Sequence, residues 1–127
     1  MHEQDQAIVK ALVSVAWADG VFAEREREML DALLDAYGAL PAERTALYAY
    51  ATQRRTLDDI EPQDLSADDR RVLLQHAVLL SFADGDLSKE EAEVLAALAA
   101  KLRIPDAEAK ALIDAGTARA KASLHLL

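Results

Sequence analysis

The sequence predicts an all-α fold, a compact bundle of about six or seven helices with two pseudo-symmetric helix–Asp-Gly turn–helix repeats. Helix-favouring Ala, Leu and Glu are abundant, and the β-branched and aromatic runs typical of strands are missing. The 127 residues, 52% apolar and 29% charged, have globular composition. This length predicts a single domain spanning residues 1–127.

The third observation behind this prediction is an internal repeat. Residues 7–40 align without gaps with residues 72–105, at a constant offset of 65 positions. Ala18-Asp19-Gly20 returns as Ala83-Asp84-Gly85. Further identities follow each turn, where Glu26, Glu28, Leu30, Ala32 and Leu33 return as Glu91, Glu93, Leu95, Ala97 and Leu98. The two halves are therefore expected to fold alike.

Each repeat begins with an almost wholly apolar helix, over 8–17 and 72–82. A helix that is apolar all round is a buried one, so this pair is predicted to form the centre of the fold. The helix that follows is amphipathic, with apolar residues at i, i+1, i+4, i+5 and i+8. Gly38 and Pro105 mark the ends of the two amphipathic helices.

The remaining segments complete the helix count. Residues 42–55 predict a third helix, and 57–65 a turn region containing Pro62. Ser66 and the residues after it suit an N-cap for the next helix. A last helix is predicted from an Asp106 cap to about residue 124, weakened at Gly116.

The net charge of −9 restricts the partners. Such a surface repels a phosphate backbone and an anionic membrane, so no nucleic-acid partner is expected, whereas cations and basic proteins are compatible. Residues 58–69 carry six acidic residues and no basic one, and they are predicted to form a solvated connector. The chain has no cysteine, which excludes disulfides and thiolate chemistry.

No transmembrane segment is expected, because the longest run without a charged residue, 72–83, is shorter than the roughly 20 residues that a spanning helix needs. The first residues lack the apolar core of a secretory signal, which predicts a cytoplasmic protein. His76 lies in an apolar helix and is predicted to be a core residue rather than a ligand. No catalytic motif is recognisable, so a non-enzymatic role is expected.

The Asp-Gly turns are the candidate site. Asp19 and Asp84 each follow a buried helix, where a carboxylate faces carbonyl dipoles of its own sign at a cost of about 0.3–1 kcal/mol. Two interpretations are open. The turn residues cap the next helix, or they bind a divalent cation such as Ca²⁺ or Mg²⁺ through oxygen ligands. The candidate metal ligands are Asp19, Glu26, Asp84, Asp86 and Glu91. A standard EF-hand is excluded because Leu80 and Phe82 would occupy its first two ligand positions.

The two copies of Ala-Asp-Gly, each followed by an apolar residue two positions on and by a Glu four further, resemble the TerB-like tellurite-resistance family. The resemblance covers about residues 6–104. It implies an all-helical fold with related repeats, a metal-associated surface formed by the acidic turns, and a role in stress response. It also implies a protein partner at the cytoplasmic face of a membrane. Asp19, Glu26, Asp84 and Glu91 match the motif, but the residues around them differ between the two turns.

Overall fold

The computed structural model describes residues 3–18, 24–81 and 89–126. For residue 25 and residues 121–126 it describes the backbone alone. Six α-helices lie within these ranges, and no strand does, which confirms the all-α prediction. They are α1 (Glu3–Trp17), α2 (Glu24–Ala36), α3 (Pro41–Ala51), α4 (Ala67–Ser81), α5 (Lys89–Lys101) and α6 (Asp106–Leu126). Two 3₁₀ turns, Leu57–Asp59 and Pro62–Asp64, connect α3 to α4.

The helices α1 and α4 form the centre of the bundle, as their apolar sequences predict. They pack against each other, α1 also against α2 and α3, and α4 also against α5 and α6. Leu12 and Val13 of α1 and Leu73, Leu74 and Val78 of α4 have no exposed surface. Burial of each such side chain contributes about 1.5–3 kcal/mol, so the α1–α4 contact supplies much of the stability.

The helices α2 and α5 cover this pair with the predicted apolar stripe. Leu30 and Leu34 of α2 and Leu95 and Leu98 of α5 are buried, while Tyr37 at the end of the first stripe is half-buried. Apolar residues recur every three or four positions along each helix, so one face of the helix packs against the core and the other carries the charges.

The two amphipathic helices end in the same hydrogen-bonded cap. Ala39 N–H donates to the Leu34 carbonyl at 2.9 Å, and at the position 65 residues later Ile104 N–H donates to the Ala99 carbonyl at 3.1 Å. These are Schellman bonds, which require a left-handed residue after the helix. Gly38 supplies it in the first half with φ of 70°, and Arg103 in the second with φ of 58°.

The structural repeat extends beyond the alignment 7–40 with 72–105. Helix α3 begins at residue 41 and α6 at residue 106, again 65 positions apart. Each half is therefore a unit of three helices. The identities also continue past the predicted boundary, at Ala42/Ala107, Glu43/Glu108, Ala46/Ala111 and Leu47/Leu112.

Two of the predicted details, the end of α3 and the cap of α6, change. Helix α3 ends at Ala51, earlier than the predicted 55, and Thr52 closes it by donating its hydroxyl to the Ala49 carbonyl at 2.7 Å. Asp106 is the first residue of α6 and not its cap, because the Pro105 carbonyl already accepts the Ala109 N–H at 2.8 Å. Helix α6 runs unbroken through Gly116, which lies against Val78.

The connector between α3 and α4 is more firmly held than its acidic composition predicts. Its carboxylates are mostly exposed, but Ile60 and Leu65 are buried in the core. Arg70 donates hydrogen bonds to the carbonyls of Pro62, at 2.7 Å, and Leu65, at 3.2 Å. The predicted N-cap of α4 is confirmed, with the Ser66 hydroxyl accepting the Asp69 N–H at 3.0 Å.

Candidate functional site

Of the five predicted ligands, Asp19, Asp84 and Asp86 lie outside the described residues. Glu26 and Glu91 are the third residues of α2 and α5, so the structure places them at equivalent positions. Both side chains are half-buried, whereas Glu28 and Glu93, two positions further along the same helices, are exposed. The two glutamates thus share an environment that their charged neighbours lack.

An acidic residue occupies the third position of every one of the six described helices: Asp5, Glu26, Glu43, Asp69, Glu91 and Glu108. Carboxylates at this position are stabilised by the positive end of the helix dipole. Glu43 shows how one acts, because its Oε1 accepts the Leu40 N–H at 2.8 Å. This hydrogen bond is the main cause of the lowered pKa of Glu43. The acidic residue at the third position therefore caps the helix in α3.

A surface groove of about 600 Å³ lies between α2 and α3 beside the end of α1. Its lining combines two aromatic side chains with three carboxylates. The lining residues are Trp17, Glu24, Arg27, Glu28, Asp31, Tyr48, Ala51 and Thr52.

The aromatic side chains are held in place by contacts within the groove. The indole Nε1 of Trp17 donates to the Ala51 carbonyl at 3.0 Å, which joins the end of α1 to the end of α3. The guanidinium carbon of Arg27 lies 5.0 Å from the ring centroid of Tyr48. This distance is that of a cation–π contact, worth about 0.5–1 kcal/mol at an exposed site.

The carboxylates around the groove are weakly compensated. Asp31 lies 3.9 Å from a guanidinium nitrogen of Arg44, at the limit of an ion pair. Glu24 and Glu28 are exposed and have no hydrogen bond or ion pair within the part of the chain that the structure describes. The groove therefore presents an aromatic surface bordered by negative charge.

The second half of the molecule shows which of these features the fold itself requires. At the positions equivalent to Glu24, Arg27, Asp31 and Tyr48 it carries Lys89, Ala92, Ala96 and Ile113. The Oγ1 of Thr117, the equivalent of Thr52, is buried and finds no hydrogen-bond partner among the described atoms. The same three-helix unit thus forms without the equivalents of Glu24, Arg27, Asp31 and Tyr48, although Glu93 keeps the position of Glu28.

Sequence reasoning missed this groove, although a signal was available. The repeat indicates what the two halves share. The positions at which they differ, such as Arg27 against Ala92 and Tyr48 against Ile113, are where a duplicated fold acquires a property of one half alone.

His76 is half-buried, as expected of a core residue. Its Nε2 lies 3.2 Å from the Tyr37 hydroxyl, which joins α4 to the end of α2. Burial lowers the pKa of His76 and so favours the neutral ring, whose tautomer decides which of the two groups donates the hydrogen bond. Burial, followed by the charges of Asp5 and Asp69, raises the pKa of Tyr37.

Comparisons of this chain with protein-family models, curated proteins and solved structures return no match. Within the described ranges, no helix combines the length and apolarity needed to cross a bilayer. Among the same residues, no group of three or more His, Asp or Glu side chains could hold a metal ion.

Proposed function

We propose that this chain is a non-enzymatic protein-interaction domain that binds a basic segment of a partner protein in the groove between α2 and α3. The observation that carries the proposal is the difference between the halves, because Arg27 and Tyr48, which form the cation–π contact of the groove, have Ala92 and Ile113 as their equivalents. Tryptophan, tyrosine and arginine are enriched among the few interface residues that dominate the binding energy. The net charge of −9 favours a basic partner.

The resemblance to the TerB-like family supports a cytoplasmic stress-response setting for this interaction. Under this proposal the acidic residues at the helix starts serve the fold. Glu43, which caps α3 through the Leu40 N–H, supports that assignment for Glu26 and Glu91 because all three occupy the third position of their helices.

The test is a binding titration with a short capped peptide of alternating basic and glycine residues, followed by the fluorescence of Trp17, the single tryptophan of the chain. The double variant Glu24→Lys/Glu28→Lys reverses two charges at the groove. We expect it to weaken binding about tenfold, since each exposed charge pair contributes up to about 1 kcal/mol.

The matched control is Glu90→Lys/Glu93→Lys, which reverses two exposed charges at the start of α5. It changes the net charge equally and leaves the groove intact. Equal weakening by the two double variants would show only general attraction to an acidic protein, and the groove would lose its assignment.

A second candidate function is the binding of a divalent cation, Ca²⁺ or Mg²⁺, at the Asp-Gly turns. Glu26 and Glu91, which follow those turns in the sequence, are both half-buried, and this placement favours it. Calorimetric titration with Ca²⁺, Mg²⁺ and Mn²⁺ tests it directly. A bound ion at a hundred times its Kd also stabilises the fold by about 2.7 kcal/mol, which a melting curve detects.

Paired variants identify the ligands in that experiment. Glu26→Gln/Glu91→Gln should abolish the heat of binding, and Glu28→Gln/Glu93→Gln, which alters exposed residues of the same helices, should leave it. Absence of both heat and thermal stabilisation with all three ions in the unaltered protein rejects the cation candidate and leaves the interaction domain.

A further inference from the structure

We infer that the groove recognises an arginine side chain of its partner, which replaces Arg27 on the ring of Tyr48. This inference rests on the proposed function and identifies the chemistry of its partner. It also assigns a role to Arg27, as a resident cation that the partner displaces.

The first support is the way Arg27 is held. Its side chain is exposed, and the ring of Tyr48 is its one contact partner among the described polar, ionic and aromatic contacts. Arg55 offers a comparison within the same chain. Its guanidinium lies 3.7 Å from the centroid of Tyr50, and its Nε also donates to the Tyr50 carbonyl at 3.2 Å. Arg55 is thus anchored by its own hydrogen bond, whereas Arg27 can leave the ring without losing one.

The second support is the chemistry around the ring. Guanidinium is planar and weakly hydrated, so it stacks on an aromatic face and at the same time donates two parallel hydrogen bonds to a carboxylate. Arg27 makes the first of these contacts and no hydrogen bond to Glu24 or Glu28 among the described residues. An arginine that enters from a partner at another angle is free to make both. Lysine, a compact and strongly hydrated charge, gains less from such a site.

The third support is again the second half of the molecule. There the equivalents of Arg27 and Tyr48 are Ala92 and Ile113, so the cation and the ring are present together in one half and absent together in the other. The three-helix unit does not require the pair for folding. Alanine at position 27 and isoleucine at position 48 are therefore substitutions that an equivalent site already accommodates.

The experiment compares two capped Gly–Ser peptides, one carrying two arginines and the other two lysines, by titration of Trp17 fluorescence. Arg27→Ala should tighten binding of the arginine peptide by about two- to fivefold, which is the equivalent of one exposed cation–π contact. Lys101→Ala is the charge-matched control, because it removes one positive charge from α5, outside the groove. It should tighten binding by less than about twofold, as general electrostatics predicts.

Tyr48→Ile completes a cycle. Tyr48→Ile should weaken binding of the arginine peptide. In the Tyr48→Ile background, Arg27→Ala should tighten this binding no more than Lys101→Ala does. The inference is overturned if Arg27→Ala and Lys101→Ala act equally in the unaltered protein, or if the lysine peptide binds as tightly as the arginine peptide. These failures leave a basic groove-binding partner in place. Failure of the proposed function has a different signature, in which neither peptide binds the unaltered protein or the Arg27→Ala variant.

Discussion

Arg71 and Glu108 join α4 to α6 through a two-point ion pair. The Nε of Arg71 donates to one carboxylate oxygen of Glu108, and Nη2 donates to the other at 3.0 Å. The same two positions in the first half, 65 residues earlier, hold Gln6 and Glu43, whose amide and carboxylate lie 3.0 Å apart. One contact between the first and third helices is thus repeated with different chemistry.

The difference follows from the residue that precedes each third helix. Glu43 divides its oxygens between Gln6 and the Leu40 N–H. At the position equivalent to Leu40 the second half has Pro105, which has no N–H to cap. Glu108 is therefore available to Arg71 with both oxygens, and this hydrogen-bonded pairing lowers the pKa of Glu108.

The first prediction tests this pair. Arg71→Gln copies the first half and should lower the melting temperature, as should Glu108→Gln. The fall in melting temperature of the double variant should be smaller than the sum of the two single falls, because each single variant already removes the interaction. The control is Arg54→Gln, an exposed arginine of the segment after α3. A fully additive double variant would mean that the pair does not stabilise the fold.

The second prediction concerns the two helix ends with left-handed backbone. No heavy atom lies within 4 Å of a Cβ built on Gly38, so Gly38→Ala meets no steric clash and suffers only the left-handed strain. It should cost about 1 kcal/mol of unfolding free energy. Arg103→Gly removes the same strain from the second half and should stabilise by up to about 1 kcal/mol. Urea unfolding at neutral pH measures both, and shifts of the same sign would contradict the prediction.

These two ends show what the sequence could and could not predict. Gly38 predicted its helix end correctly, because glycine favours the left-handed conformation. Arg103 gives no such signal, and it is Pro105 that predicts the end of the second amphipathic helix. The helices themselves were predicted well because their apolar residues recur at helical spacing, which the core then confirms with buried Leu30 and Leu95.

The candidate site was less predictable for a physical reason. A short motif indicates Asp19 and Asp84 as candidates, and both lie outside the described residues. The groove depends on Trp17 at the end of α1 and Tyr48 in α3, which are far apart in the chain. Only the packing of three helices brings them together, and no local spacing records that packing.

The third prediction concerns the close contact of α6 with α4. A Cβ at Gly116 would lie 3.0 Å from Cγ1 of Val78 and 3.2 Å from its Cβ. Alanine favours a helix by about 1 kcal/mol over glycine, but overpacking against a buried, β-branched side chain costs about 1–3 kcal/mol. We expect Gly116→Ala to destabilise by about 1 kcal/mol in total.

The control for this prediction is the same substitution in the Val78→Ala background. The branched methyl groups are then absent, so Gly116→Ala should become neutral or stabilising in urea unfolding. If Gly116→Ala destabilises equally in both backgrounds, the contact with Val78 is not its cause.

The last prediction concerns the pH dependence of stability through His76. Burial lowers its pKa below the ordinary value of 6.5, so at intermediate pH the unfolded chain binds a proton that the folded chain does not. The stability that depends on neutral His76 is therefore fully present above pH 6.5, and it is lost as the pH drops from 6.5 through the pKa of His76 in the folded protein. The lowered pKa values of Glu43 and Glu108 cause a separate loss only below their ordinary value of 4.5.

The measurement is the urea unfolding free energy between pH 7.5 and 5, compared with His76→Gln, which keeps a polar group near Tyr37 but does not titrate. The variant should be less stable at pH 7.5 and show a flatter profile above pH 5. Protonated His76 carries a hydrogen on both ring nitrogens, so the Tyr37 hydroxyl must then accept the hydrogen bond from Nε2. Tyr37→Phe removes this hydrogen bond and should retain the pH dependence caused by burial, which is the cause of the lowered pKa of His76. A profile equally steep in His76→Gln would assign the titration to another group.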